Sequence, residues 1–272
     1  MSVLNRIRED NQVLIMGILN VTPDSFSDGG KFFKREKAVD RAVQMEESGA
    51  DIVDIGGEST RPGADEVPLE EELSRTVPVI EEIRQATDVP ISIDTYKSEV
   101  ADKALDAGAD MINDISALRF DPELGSVAAG WDVHLVLMHM QGTPRTMQEN
   151  PTYEDPVDEI IEFLQDRVDE AEELGVDGEK IIVDPGIGFG KRLQDNYEIL
   201  RRLEEFGEME HPLLLGTSRK SFIGDMLGLP TEERLEGTIA SNVVGVIKGA
   251  DILRVHDVKE VHRAKEIAVR CR

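Results

Sequence analysis

The residues best suited to chemistry stand at the ends of short apolar runs. Asp54 ends DIVD, Asp94 ends ISID, Asn113 ends DMIN, Asp184 ends IIVD and Arg254 ends DILR. A buried strand has no use for such groups unless that end opens to solvent or ligand, because a polar group without a partner is costly to bury. The turn preference of Asp and Asn explains any one of them, whereas five at the same offset point to a site. Asp94, Asn113 and Asp184 form an acceptor-rich set suited to the amino-pyrimidine edge of a flat nitrogen heterocycle, since carboxylates accept paired hydrogen bonds and an amide both donates and accepts. A divalent cation held by the same carboxylates is the rival, and the residues alone leave the two open.

Anion chemistry is suggested by Thr217-Ser218-Arg219-Lys220 after one run and Arg254-Val255-His256 after the last. Arg254 and His256 alternate, so an extended segment turns both to one side, where they can grip a phosphate. A structural histidine and a solvated lysine are the plain alternatives for His256 and Lys220. Their position at strand ends in a chain with few cations favours the ligand reading. The segment Gly186-Ile-Gly-Phe-Gly-Lys191 resembles a nucleotide loop but has Lys191 where a dinucleotide turn needs its third glycine. It also has Pro185 and Arg192 where a P-loop needs Gly and Ser or Thr. It reads instead as a flexible glycine loop that lets the backbone approach something flat. No G-x-S-x-G occurs, so a Ser-His-Asp hydrolase has no elbow to support it.

The elements that must hold these groups follow a simple rhythm. Strand-like runs fall at 13–19, 51–55, 89–93, 110–114, 133–138, 180–184, 212–216 and 251–255. Helical periodicity occupies 36–48, 69–86, 98–107, 156–174, 196–206, 231–248 and 258–269. Eight strands in 272 residues give 34 residues per unit, the size of a βα module. The template Gly-Ala-Asp followed by two aliphatics and a polar residue recurs at Gly49, Gly108 and Gly249, each reading as a helix-ending glycine that runs into a buried strand. These features predict one (β/α)₈ TIM barrel spanning 1–272, with its site at the carboxyl ends of the strands. A doubly wound sheet is the competing architecture, and the lack of a dinucleotide fingerprint disfavours it. Segments 22–33, 56–67, 139–155 and 185–191 are long βα loops, placed to cover a site.

Charge narrows the partners. Thirty Lys and Arg face 56 Asp and Glu, a formal net charge of −26, which opposes binding to nucleic acid or to anionic membranes. The acids spread over every helical segment rather than forming a tail, which reads as a solvated shell suited to high salt and not as a polycation-binding face. The single cysteine, Cys271, rules out an internal disulfide framework and a multi-cysteine zinc site, consistent with a reducing cytoplasm. No targeting segment or membrane span is evident.

Several longer segments then carry a family pattern. They are Gly17-ILNVTPDSFSDG-Gly30, Asp54-IGGESTRP-Gly63, Ile91-SID-Thr95, Asn113-DI-Ser116, Met138-HMQ-Gly142, Asp184-PGIGFG-Lys191, Ser218-RK-Ser221 and Arg254-VHD-Val258. Together they closely resemble the dihydropteroate synthases of folate biosynthesis, in family order from 17 to 258. The resemblance implies a TIM barrel that condenses 6-hydroxymethyl-7,8-dihydropterin diphosphate with 4-aminobenzoate. It places the pterin on Asp94, Asn113, Asp184 and Lys220 with help from Thr60, the diphosphate on Arg254 and His256, and Mg²⁺ on Asn20. Phe26, Arg61, Pro62, Phe189, Ser218 and Ser221 would shape the aminobenzoate site once loops 22–33 and 56–67 close. An SN1-like step, a homodimer and no fused pterin kinase or folate ligase are the further expectations. A pterin-binding methyltransferase-type domain and a non-catalytic pterin-binding relative are the alternatives; Arg254, His256 and the Ser-Arg-Lys segment weigh against the methyltransferase.

Overall fold

The computed structural model describes residues 12–22, 31–60 and 63–272, without the side chains of 31–34. Eight strands alternate with helices: β1 (Leu14–Asn20), α1 (Lys31–Glu47), β2 (Ile52–Gly56), α2 (Leu69–Ala86), β3 (Ile91–Asp94), α3 (Ser98–Asp106), β4 (Met111–Asp114), α4 (Glu123–Trp131) and β5 (His134–Met138). There follow α5 (Pro156–Glu173), β6 (Ile181–Asp184), α6 (Leu193–Arg201), β7 (Leu214–Leu215), α7 (Ser221–Leu227), α8 (Leu235–Ile247), β8 (Ile252–Val255) and α9 (Val258–Ala268). Every strand pair is parallel, in the spatial order β6-β5-β4-β3-β2-β1-β8-β7, and a parallel bridge from Val183 to Leu213 joins the two ends of that order. The predicted (β/α)₈ barrel is therefore the fold. No helix among the described residues is long and apolar enough to cross a membrane.

Alternation along each strand divides the core in two. Leu14, Met16, Ile52, Met111, Val136, Ile182, Leu214 and Ile252 fill the barrel interior. Their neighbours, such as Ile15, Val53, Ile93, Ile112 and Leu253, face outward into the layer beneath the helices. The recurring Gly-Ala-Asp template has a use at both its ends. Gly49, Gly108 and Gly249 take φ of 102°, 112° and 104°, the left-handed turn that stops a helix cheaply only at glycine. The Asp two residues on accepts a backbone N–H from the neighbouring strand: Ile15 to Asp51 at 2.8 Å, Ile91 to Asp110 at 2.8 Å and Leu213 to Asp251 at 2.9 Å. The template thus ties adjacent strands together at the amino ends of the barrel, opposite the site.

The structure corrects the sequence reading at several boundaries. The periodic stretch 196–206 is two elements, α6 and the 3₁₀ segment Leu203–Met209, and 231–248 is likewise a 3₁₀ turn, Thr231–Glu233, followed by α8. Helices α4 and α7 carry no clear periodic signal: α4 (ELGSVAAGW) has two glycines and only one charged residue to mark a polar face, and α7 spans only two turns. The β7 ladder covers only Leu214–Leu215 of the expected 212–216.

Candidate active site

At the carboxyl end of the barrel the apolar interior gives way to polar side chains. Asp54, Asp94, Asn113 and Asp184 are all buried there, and Arg254 is half-buried. Arg254 binds two of them in a fork, donating from Nε to Asp54 Oδ2 at 2.6 Å and from Nη2 to Asp94 Oδ2 at 2.6 Å. Asn113 Nδ2 donates to the same Asp54 oxygen at 3.1 Å. Strands β2, β3, β4 and β8 thereby converge on one network.

Burial pushes the Asp94 carboxyl up, against the pull of Arg254 and with Asp54, Glu72 and Asp114 adding to the rise. Burial works to lower the Arg254 guanidinium, but Asp54, Asp94 and Asp184 outweigh it and hold the group above its ordinary value, fully charged. The Arg254 cation thus bridges Asp54 and Asp94 and takes one oxygen of each. No group of three His, Cys, Asp or Glu able to hold a metal occurs among the described residues.

Asp184 is raised by burial too, while Gly186 N donating to Oδ1 at 2.7 Å and the charges of Lys220, Arg254 and Lys191 pull it down. Lys220 Nζ lies 3.9 Å from the centroid of the Phe189 ring, a cation–π contact. Burial depresses its amine, against the attraction of Asp184 and Asp94. Phe189 is presented by a tightly tied loop, which corrects the expectation of a flexible one. Gly188 N donates to Asn196 Oδ1 at 2.6 Å, Gln148 Nε2 donates to Gly188 O at 2.9 Å and Tyr153 Oη donates to Gly190 O at 2.7 Å. A Cβ on Gly186, whose φ is +67°, would stand 1.9 Å from His139 O, so only glycine allows loops β5–α5 and β6–α6 to interlock.

Beneath that loop lies a pair the sequence reading had assigned no role. Lys191, buried, reaches His139 Nδ1 at 2.9 Å, Phe189 O at 3.0 Å and His139 O at 3.4 Å. Burial lowers both the histidine and the lysine, and the positive charges of Lys191 and Arg119 push the imidazole further in the same direction. Both residues stand inside quoted family segments, which is the only signal that could have pointed to them.

The anion segment divides. Ser218 and Lys220 face the mouth, whereas Arg219 turns away to bind Asp257 through Nε at 2.9 Å and Nη2 at 2.5 Å, and Thr217 accepts from Ser241 and Asn242 of α8. Ser218 Oγ contacts His256 Nδ1 at 3.0 Å and accepts from His256 N at 3.1 Å, so β8 and the β7 loop fix one another. Ser221 is exposed at the first position of α7, Asn20 is half-buried at the end of β1, and Thr60 is half-buried in the β2–α2 loop, four residues past the end of β2. Phe26, Arg61 and Pro62 lie outside the described residues, as does most of loop 22–33.

Comparison with known proteins agrees with this geometry. The pterin binding enzyme family matches residues 16–256. A dihydropteroate synthase of Bacillus subtilis is 52% identical over 93% of this chain and 86% of its own. A Clostridium difficile dihydropteroate synthase solved in the presence of pteroic acid is 47% identical, with a TM-score of 0.91 over 96% of this chain and 97% of its own. The Xanthomonas albilineans enzyme with 4-aminobenzoic acid is 45% identical, with a TM-score of 0.90 over 96% and 93%.

Proposed function

The chain belongs to the dihydropteroate synthases of the pterin-binding enzyme family, and from that premise we propose how its barrel mouth condenses 6-hydroxymethyl-7,8-dihydropterin diphosphate with 4-aminobenzoate. The observation that carries the proposal is the network of Asp54, Asp94, Asn113 and Arg254 at the strand ends, with Asp184 and the Lys220–Phe189 pair beside it. The pterin is bound by Asp94, Asn113, Asp184 and Lys220, with Thr60 assisting. The diphosphate takes Arg254 and His256, and Ser218 holds the imidazole in place for it. Phe189, Ser218 and Ser221, with Phe26, Arg61 and Pro62, shape the aminobenzoate site.

The reaction is a nucleophilic substitution at the pterin methylene, SN1-like in character. The C–O bond to diphosphate breaks and its electron pair leaves with the diphosphate, whose oxygens Arg254 and His256 stabilise as charge develops. Positive charge spreading from the methylene into the pterin is favoured by the buried carboxylates of Asp94 and Asp184. The arylamine nitrogen then forms the C–N bond and gives up a proton, with no strong base required. Closure of loops 22–33 and 56–67 keeps water from capturing the carbon centre.

Asn20 fits a Mg²⁺ ion that arrives with the substrate. Its amide is a hard oxygen donor at the mouth, and Gly56 leaves open the space between Asn20 Oδ1 and Asp94 Oδ2, 3.6 and 3.5 Å from where a Cβ would be. One protein oxygen completed by phosphate oxygens and water is a mode of binding that Mg²⁺ commonly adopts. When bound, the ion supplies charge neutralisation on the diphosphate.

The whole chain, 1–272, acts as one barrel domain in the cytoplasm, binding neither nucleic acid nor membrane, and forms a homodimer. Val244 and Ile247 on α8 and Ile267 on the adjacent α9 are exposed apolar side chains suited to that contact. The acidic surface is a high-salt adaptation, because a field of charge −26 repels both anionic substrates and serves neither. The test is diphosphate release from the pterin diphosphate and 4-aminobenzoate, matched one for one by 7,8-dihydropteroate and lost on chelation of Mg²⁺. Folate methyl transfer, or pterin binding without turnover, would instead identify a methyltransferase-type domain or a non-catalytic relative.

A further inference from the structure

Asp54 lies one layer below the mouth on β2, fully shielded from solvent. Its Oδ2 accepts from Arg254 Nε at 2.6 Å and from Asn113 Nδ2 at 3.1 Å, and its buried Oδ1 has no hydrogen-bond partner among the described residues. In the strand register Asp54 lies opposite Ile18 on β1 and Ser92 on β3, below the level of Asp94 and Asn113. It is thus placed to hold groups from above it, and it is too deep to meet a ligand that those groups already line.

A carboxylate this deep is costly unless a charge and hydrogen bonds compensate it. Arg254 supplies the charge, but the fork supplies more than neutralisation. With Nε fixed on Asp54 and Nη2 on Asp94, the guanidinium plane is set by two points, and the same Asp54 oxygen sets the rotamer of Asn113. We propose that Asp54 is a positioning residue, which through one oxygen aims Arg254 at the diphosphate and Asn113 at the pterin. This rests on the reading of Arg254 and Asn113 as ligands of the pterin diphosphate.

A carboxylate that merely neutralised a buried arginine would affect folding and little else, so the test separates the two roles. Asp54→Asn keeps the shape and one acceptor oxygen. In the holoenzyme with Mg²⁺ it should lower kcat/KM for the pterin diphosphate by about 10- to 100-fold, the range over which supporting partners of site residues act. The KM for 4-aminobenzoate should stay within about 3-fold, since neither held group is assigned to that substrate. In an Arg254→Met background the same substitution should add less than about 5-fold, because its main route of action is gone. Arg254→Lys, which retains charge but has no Nε to meet Asp54, should lose about as much as Arg254→Met, and it keeps the proposal testable should Asp54→Asn not fold. An Asp54→Asn enzyme within about 3-fold of wild type, an equal factor in both backgrounds, or an active Arg254→Lys overturns the proposal. A wild-type chain that releases no diphosphate overturns the parent reading instead, so the two failures are distinct.

Discussion

Replacing Lys97 by Met should unfold the base of the β2–α2 connection before it touches the chemistry. Lys97 Nζ lies 2.5 Å from Glu58 Oε2, 2.5 Å from Glu72 Oε2 and 2.9 Å from Val67 O, so one ammonium joins both ends of the 56–67 loop to the start of α3. Tyr96 Oη donates to the other Glu58 oxygen at 2.8 Å. Glu72 has 1% of its side chain exposed and Glu58 has 9%, so removing the cation leaves two carboxylates facing each other in a nearly dry pocket. Breaking a buried pair by deleting one partner costs about 3–5 kcal/mol. A chain of this length loses roughly 2 °C of midpoint per kcal/mol, so thermal unfolding followed by circular dichroism should shift down by about 6–10 °C. Adding Glu72→Gln to Lys97→Met should recover about half of that loss, since one of the two stranded charges is gone. A shift below about 2 °C, or no recovery in the double variant, would show that the pair is solvated and that the ion-pair reasoning is wrong.

Three further outcomes follow from the same geometry. Burial depresses the Lys220 amine to about 7. The unfolded chain therefore takes up a proton that the folded one refuses between that value and the ordinary lysine range, so stability should rise with pH across this window and the rise should flatten in Lys220→Met; a slope unchanged by the substitution, in denaturant titrations at several pH values, contradicts this. Relative activity in molar KCl should exceed that in dilute buffer as the repulsion within a −26 shell is screened, and loss of fold on adding salt would refute the high-salt reading. Ile247→Glu with Ile267→Glu should convert a dimer to monomers in analytical ultracentrifugation, and a sedimentation coefficient equal to wild type would place the contact elsewhere.

Much of this was legible in the chain because burial makes polar exceptions conspicuous. Asp54, Asp94, Asn113, Asp184 and Arg254 stood out against aliphatic strands, and all five meet at one end of the barrel. The Gly-Ala-Asp template gave the helix stops, but the strand-tying role of Asp51, Asp110 and Asp251 needed the neighbouring backbone to be seen. Arg219 shows the opposite case: sequence adjacency grouped it with Ser218 and Lys220, and a left-handed φ of 55° turns its side chain to Asp257. Lys97 with Glu58 and Glu72, and Lys191 with His139, are pairs between separate loops and helices, and nothing in linear spacing announces such contacts.

The central claim is that the reaction runs on the strand-end residues of the barrel mouth. Asp184→Asn tests it most directly, because Asp184 is buried, is assigned to the pterin edge and supports the loop through Gly186. Losing a charged acceptor for the heterocycle should cost about 2–3 kcal/mol, so kcat/KM for the pterin diphosphate should fall roughly 30- to 150-fold with the midpoint of unfolding little changed. An Asp184→Asn protein that releases diphosphate at the wild-type rate, at limiting pterin diphosphate, contradicts the account.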